Sequence, residues 1–133
     1  MKSKMRFLVP ILGLFLSAPA FAHHSFRAEY DPTKTMEFVG IVTRVEWFNP
    51  HVRFSIDVKD ETGKVTNWNF ELGSPLQLRR QGWRQDSLKV GDQITVEGYL
   101  AKDGSKMASA SKVTFADGRT VFSGVSAEGR PAQ

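Results

Sequence analysis

The chain has 133 residues and no cysteine, which excludes disulfide cross-links, thiol catalysis and thiolate metal sites. It holds 18 Lys and Arg against 14 Asp and Glu. Three of those basic residues and none of the acidic ones lie in residues 1–22, so residues 23–133 hold 15 basic and 14 acidic residues, a net charge of +1. This near-neutral remainder argues against nucleic acid as a partner, because such binding needs many Lys and Arg to neutralise phosphates.

Residues 1–22 have the order of a cleavable signal peptide. Three basic residues come first, an apolar run over residues 7–16 follows, and Ala20 and Ala22 occupy the small positions of an A-x-A cleavage site. The alternative is a membrane anchor, but a span needs about 18 apolar residues and this run is shorter. We therefore expect cleavage after Ala22 and a periplasmic or secreted protein without a stable membrane anchor.

The 111 residues that remain after cleavage fit one domain and are enough to bury a core. We expect an N-terminal arm over residues 23–35, a folded domain over residues 36–122, and a disordered tail over residues 123–133, which is rich in Gly, Ser and Ala.

Alternating apolar and polar residues predict six strands in the folded domain. The clearest alternation sets Phe54 and Ile56 on one face and Arg53 and Ser55 on the other, as in a strand with one buried face. Gly40, inside the first strand, predicts a bend or bulge there. The six segments span residues 36–47, 52–59, 65–72, 94–100, 107–115 and 120–122.

A short helix is predicted between the third and fourth strands, over residues 75–81. Ser74 suits the N-cap, Pro75 suits the first helical position, and Gln77 is placed for a capping box. Gly82 then ends the helix.

Three strands, a short helix and then further strands are the element order of an OB-fold, a partly open five-stranded barrel. We therefore expect an all-β, OB-fold-like β-barrel of five to six antiparallel strands with one short helix. Another small antiparallel barrel or a sandwich is the alternative, because sequence does not fix strand closure.

Five motifs make the chain similar to a family of small exported bacterial proteins of unknown function. The motifs are AHHSF at 22–26, EWFNPH at 46–51, FELGSP at 70–75, VEGY at 96–99 and AKDGS at 101–105. The resemblance covers nearly all of the chain after the signal peptide. It implies export and an OB-like fold, and it implies no activity.

The three histidines carry the most distinctive chemistry in the sequence. Cleavage after Ala22 places His23 and His24 first and second in the mature chain, while His51 lies where the Asn-Pro turn enters the second strand. The free amine and imidazole of His23, with the imidazole of His51, form a three-nitrogen set of the histidine-brace type, which suits copper. His24 is a substitute for either. The alternative is an unordered terminus and a His51 that only bonds the backbone.

The remaining residues favour a non-catalytic binding module of unknown ligand over an enzyme. No nucleophile elbow or phosphate loop is present. Four strand carboxylates (Glu46, Asp57, Glu71 and Glu97) fall at positions expected to face solvent. Trp47, Phe48 and Trp83 lie near element ends and are predicted to form a ligand surface for an envelope protein, a saccharide or a peptide.

Overall fold

The computed structural model of the protein describes residues 26–122, which form two short helices and six strands. The helices are α1 (Phe26–Glu29) and α2 (Pro75–Arg80). The strands are β1 (Tyr30–Glu46), β2 (Arg53–Lys59), β3 (Val65–Glu71), β4 (Gln93–Ala101), β5 (Met107–Phe115) and β6 (Thr120–Phe122).

The six strands form one sheet in the order β3-β2-β1-β4-β5-β6, and β3 also pairs with β5. Neighbours in the order run antiparallel, whereas β3 and β5 run parallel, with Phe70 opposite Ala108. The predicted antiparallel strands are confirmed along this order, and the β3–β5 pairing adds one parallel contact. Five strands that alternate in direction around a ring must leave two neighbours pointing the same way, so closure requires one parallel pair.

The core fills the space between the strands and α2. Phe54, Ile56 and Phe70 are completely buried, and Phe54 stacks on Phe70 with ring centroids 5.2 Å apart. Leu78 of α2 is also completely buried. The predicted all-β, OB-fold-like architecture, with a helix between the third and fourth strands, is confirmed.

The predicted capping box begins α2. The Ser74 hydroxyl accepts a hydrogen bond from the backbone N–H of Gln77 at 3.2 Å, and the Gln77 side chain accepts one from the backbone N–H of Ser74 at 2.9 Å. Gly82, with φ of +87°, follows the helix in the left-handed conformation that glycine tolerates. Nowhere in residues 26–122 is a helix both long and apolar enough to cross a membrane.

The first strand begins at Tyr30, six residues before the predicted start, and the four-residue helix α1 precedes it. Tyr30 pairs with Ala101 and Thr35 pairs with Tyr99, with an irregular register between them. The Asp31 carboxylate accepts a hydrogen bond from the backbone N–H of Thr33 at 2.9 Å, the local pattern of a turn. Because Asp31 and Thr33 have the pattern of a turn, the sequence does not indicate that β1 begins at Tyr30.

The irregularity in the pairing of β1 with β2 lies between Val42 and Arg44, so the bulge predicted at Gly40 is displaced by a few residues. Gly40 serves close approach of the strands instead. A Cβ atom at this position would lie 2.4 Å from the backbone oxygen of Asp57.

We predict that Gly40→Ala destabilises the protein by about 2 kcal/mol, because the strands must separate to admit the methyl group. Val39→Ala is the matched control, since the Val39 side chain is largely exposed. Urea unfolding of both variants measures the difference. Equal unfolding midpoints for the two variants would contradict the tight β1–β2 approach.

Candidate functional site

The end of β3 and the entry to β2 lie side by side and point three polar side chains outward. The backbone N–H of Leu72 donates to the carbonyl of Val52 at 2.8 Å. Val52 and Leu72 are both buried in the core. Because side chains alternate along a strand, His51, Arg53 and Glu71 lie on the opposite, outer face.

Glu71 is the centre of this cluster and is only 8% exposed. One carboxylate oxygen, Oε1, lies 2.5 Å from Nδ1 of His51. The other, Oε2, accepts hydrogen bonds from the Tyr30 hydroxyl at 3.0 Å and from an Arg53 guanidinium nitrogen at 2.7 Å. We call Tyr30, His51, Arg53 and Glu71 the Glu71 cluster.

The prediction that Glu71 faces solvent is wrong, because the start of β1 covers this part of the outer face. Tyr30 is 3% exposed and reaches Glu71 across 41 residues of sequence. The β3–β5 pairing also sets Glu71 opposite Ser109, which is buried as well. Strand alternation alone gives no sign of a covering segment, so sequence reasoning missed Glu71 and Tyr30.

The charges in the cluster support one another. Burial by itself would raise the pKa of Glu71, but the hydrogen bond and positive charge of His51, together with Arg53 and Tyr30, hold that pKa below its ordinary value. The hydrogen bond to Glu71 raises the pKa of His51. Burial and the adjacent carboxylate raise the pKa of the Tyr30 hydroxyl. Glu71 is therefore ionised and Tyr30 is a neutral donor.

His51 combines a fixed ring with an accessible face. Glu71 engages Nδ1, while the side chain is 43% exposed. When the neutral imidazole donates its Nδ1 proton to Glu71, Nε2 carries a lone pair. Such a nitrogen can bind a metal ion or accept a proton.

The other two predicted metal ligands, His23 and His24, lie outside the described residues. Within residues 26–122, no three or more His, Cys, Asp or Glu side chains are grouped to hold a metal ion. A metal at His51 would thus need donors from beyond this range.

The three predicted ligand-surface aromatics separate in the fold. Phe48 is 68% exposed and lies in the loop that carries the cis peptide bond between Asn49 and Pro50. Trp47 is half-buried and packs against the core. Trp83 is 2% exposed, so its assignment to a ligand surface is wrong. Its backbone N–H donates to Leu78, which turns the chain back under α2 and buries the indole.

A surface cavity of about 640 Å³ lies between the α2–β4 connection and the β5–β6 turn, and it shares no residue with the Glu71 cluster. Four of its charged lining residues pair locally, Arg84 with Asp86 and Arg119 with Asp117. It therefore offers a ligand no uncompensated charge from these residues.

We predict that Glu71→Gln lowers the free energy of unfolding by about 1–3 kcal/mol, because Tyr30, His51 and Arg53 lose their shared ionised acceptor. Glu97→Gln is the matched control, since the Glu97 side chain is 42% exposed and its carboxylate forms an ion pair with Lys112. Urea unfolding at neutral pH compares them. A loss no larger for Glu71→Gln than for Glu97→Gln would contradict the central role of Glu71.

The shifted pKa values predict a pH window of maximal stability for the metal-free protein. The contribution of His51 is full below its ordinary pKa of 6.5 and is lost as pH rises through its raised folded pKa. The contribution of Glu71 is present above its ordinary pKa of 4.5 and is lost as pH falls through its lowered folded pKa.

The His51–Glu71 pair thus stabilises the fold most between pH 4.5 and pH 6.5. Unfolding midpoints of wild-type and His51→Gln protein, measured from pH 4 to pH 9, should converge toward alkaline pH. A difference that stays constant above pH 6 would exclude the protonated His51–Glu71 pair.

Comparison with known proteins gives a fold and a family. No curated protein matches the chain. Solved structures that match are mitochondrial single-stranded DNA binding proteins (Rim1) from S. cerevisiae. The selenomethionine-labelled Form 2 crystal structure has a TM-score of 0.50 at 14% identity and covers 65% of this chain and 97% of that chain. A second Form 2 structure has a TM-score of 0.49 at 14% identity, covering 62% and 93%.

At this identity the likeness shows the fold alone. A family profile, in contrast, matches residues 13–110, which is most of the chain. The chain accordingly belongs to the family of unknown function DUF6152.

Proposed function

We propose that this chain is a small exported, non-catalytic binding protein that holds a copper ion between His51 and the histidine at its processed N-terminus. One observation carries the proposal: Glu71 engages Nδ1 of a half-exposed His51, which directs the other ring nitrogen away from the carboxylate. A carboxylate on the far nitrogen is the usual support for a metal-binding histidine, since it fixes the tautomer and raises ligand basicity.

The contact between His51 and Glu71 also opposes copper binding. Glu71 raises the pKa of His51, so copper must displace a proton from the ring when His51 is charged. Copper binding is therefore expected to strengthen as pH rises above 6.5, the ordinary pKa of histidine.

The remaining donors are the α-amine and imidazole of His23, which signal cleavage after Ala22 would create. The segment that leads to them lies against the cluster: the Phe26 ring is 5.5 Å from the Tyr30 ring, and Tyr30 bonds Glu71. Two residues, His24 and Ser25, lie between His23 and Phe26, a span of at most ~10 Å over three residue steps. His24 is within the same reach.

The donor set identifies the metal class. An amine and two imidazoles are nitrogen ligands, and nitrogen ligands in a planar arrangement suit Cu(II). Glu71, the carboxylate in contact with His51, is already occupied by the ring nitrogen, Tyr30 and Arg53, so it is not free to favour a harder ion. We therefore favour carriage of copper over an oxygen-ligated metal.

A second candidate function follows from Phe48. A side chain that is 68% exposed beside the half-buried Trp47 provides an apolar contact for a peptide, a saccharide or an envelope protein. This function needs neither the N-terminal amine nor His51.

We predict that the processed protein, beginning at His23, binds Cu(II) at least tenfold more tightly than a form extended by one alanine, because the extension removes the amine from the histidine. His51→Ala should weaken binding to the processed protein to a similar degree. Phe48→Ala is the matched control from the same loop and should bind copper normally. Calorimetric titration after intact-mass confirmation of the N-terminus measures all four.

Equal copper affinity of the processed and extended forms would exclude the amine chelate. A His51→Ala protein with wild-type affinity would exclude His51 as a ligand. Either result would leave the Phe48 surface as the better candidate.

A further inference from the structure

The outer face of β1 carries exposed apolar side chains near the middle of the sheet. Phe38 and Val42 are buried in the core, so Val39 and Ile41 point outward, and they are 50% and 42% exposed. β1 pairs with β2 on one side and with β4 on the other, so these side chains lie within the sheet and not at its edge. Such a patch on a sheet face can be covered by a second sheet face.

We infer that this face is the interface of a two-fold symmetric dimer, in which β1 of one copy lies antiparallel over β1 of the other. The two-fold axis runs across the strands at the level of Gly40, so Val39 of each copy meets Ile41 of the other. The inference goes beyond the proposed function and is independent of it, because the face contains neither the Glu71 cluster nor Phe48.

The order of charges along β2 favours a second copy as the partner. Asp57 lies opposite Ile41, and Lys59 lies one position beyond Val58, which is opposite Gly40. Asp57 and Lys59 therefore flank the level of the axis on the outer face, one on each side. Rotation about the axis reverses the strand direction, so it sets Asp57 of each copy against Lys59 of the other.

The charges along β1 fit the same axis. Glu37 lies three positions before Gly40. After the irregularity in β1, Arg44 lies opposite Ser55, which is three residues from Val58, the partner of Gly40. Glu37 of each copy therefore meets Arg44 of the other. One axis thus matches acid with base on two adjacent strands and apolar with apolar between them.

These charged groups can form contacts with a second copy. Asp57 accepts a hydrogen bond from the side-chain amide of Asn67 at 2.7 Å, which holds its carboxylate on the outer face. Within residues 26–122, neither Asp57 nor Lys59 has an ion-pair partner. Arg44 is 67% exposed and bonds Glu46 through one nitrogen, and a guanidinium group has further donors. Opposite charges across an interface fix its register, whereas like charges oppose it.

The size of the face determines the expected strength of the dimer. The face spans β4, β1, β2 and β3, and strand spacing and rise give it dimensions of roughly 20 by 20 Å. This area is at the small end of specific interfaces. We therefore expect a dimer that dissociates on dilution.

The test is sedimentation velocity of the processed protein without metal, at concentrations up to about 1 mM, where weak association is detectable. The wild type should pass from monomer to dimer as its concentration rises. Ile41→Glu should raise the dissociation constant at least about tenfold, because it places two carboxylates at the centre of the interface. Leu76→Glu is the control, since Leu76 is 57% exposed on α2, outside the face, and this variant should dimerise as the wild type does.

Exchange of the β2 charges tests the position of the axis. Asp57→Lys and Lys59→Glu should each weaken the dimer roughly fivefold, because symmetry sets the like charges together twice. The double variant restores opposite charges and should dimerise as the wild type does, although it also lacks the bond from Asn67. Circular dichroism confirms that each variant is folded. If Asp57→Lys is not, Ile41→Glu and Lys59→Glu supply the answer, since both side chains are exposed.

Three results would overturn the inference. A wild-type protein that stays monomeric at every concentration would show that this face does not bind a second copy. A dimer that Ile41→Glu leaves intact would use another surface. A double variant that dimerises no better than its single variants would exclude the contact of Asp57 with Lys59 across the axis.

Discussion

A carboxylate removed from water must receive donors from the protein, and in this chain that requirement unites three separate segments. Glu71 contacts Tyr30 at the start of β1, His51 in the β1–β2 loop and Arg53 in β2. Removal of the carboxylate would leave a buried phenol without its acceptor, and His51 and Arg53 without their carboxylate partner. The orientation of His51 and the course of the N-terminal segment both depend on this one side chain.

The fold and the site differ in what they share with other proteins. The OB-like fold is shared with single-stranded DNA binding proteins at 14% identity. The outer positions of β2 and β3 here carry Arg, Ser, Asp, Lys, Val, Asn and Glu, and none is aromatic. Asn67 of this face donates its side-chain amide to Asp57 and to Thr43. In place of aromatic side chains, this face carries polar groups, several of them hydrogen-bonded to one another.

Sequence patterns predicted those features that depend on neighbours along the chain. Alternation in β2 and the Ser74 capping box are local signals. The capping box appears as predicted, and β2 forms with Phe54 and Ile56 buried, but Ser55, predicted on the solvent-facing side, is buried as well. Met107–Phe115 forms β5 with the bounds that its small residues predicted.

Features that depend on distant segments escaped prediction. Glu71 reads as a solvent-facing strand residue until Tyr30 is placed over it, and Trp83 reads as a surface aromatic until the chain turns back under α2. Tyr30 itself lies before a stretch whose Asp31–Thr33 contact has the pattern of a turn. In each case a long-range contact overrides a local signal, which single-sequence periodicity does not contain.

Tyr30 and Glu71 are 41 residues apart in the sequence, and this distance determines when during folding His51 becomes oriented. β1 must pair with β4 before Tyr30 lies beside Glu71. Such non-local pairing is slow, because the entropy of loop closure is lost before the stabilising contacts form. The oriented His51 is therefore a property of the finished fold, so any metal it holds is acquired after folding.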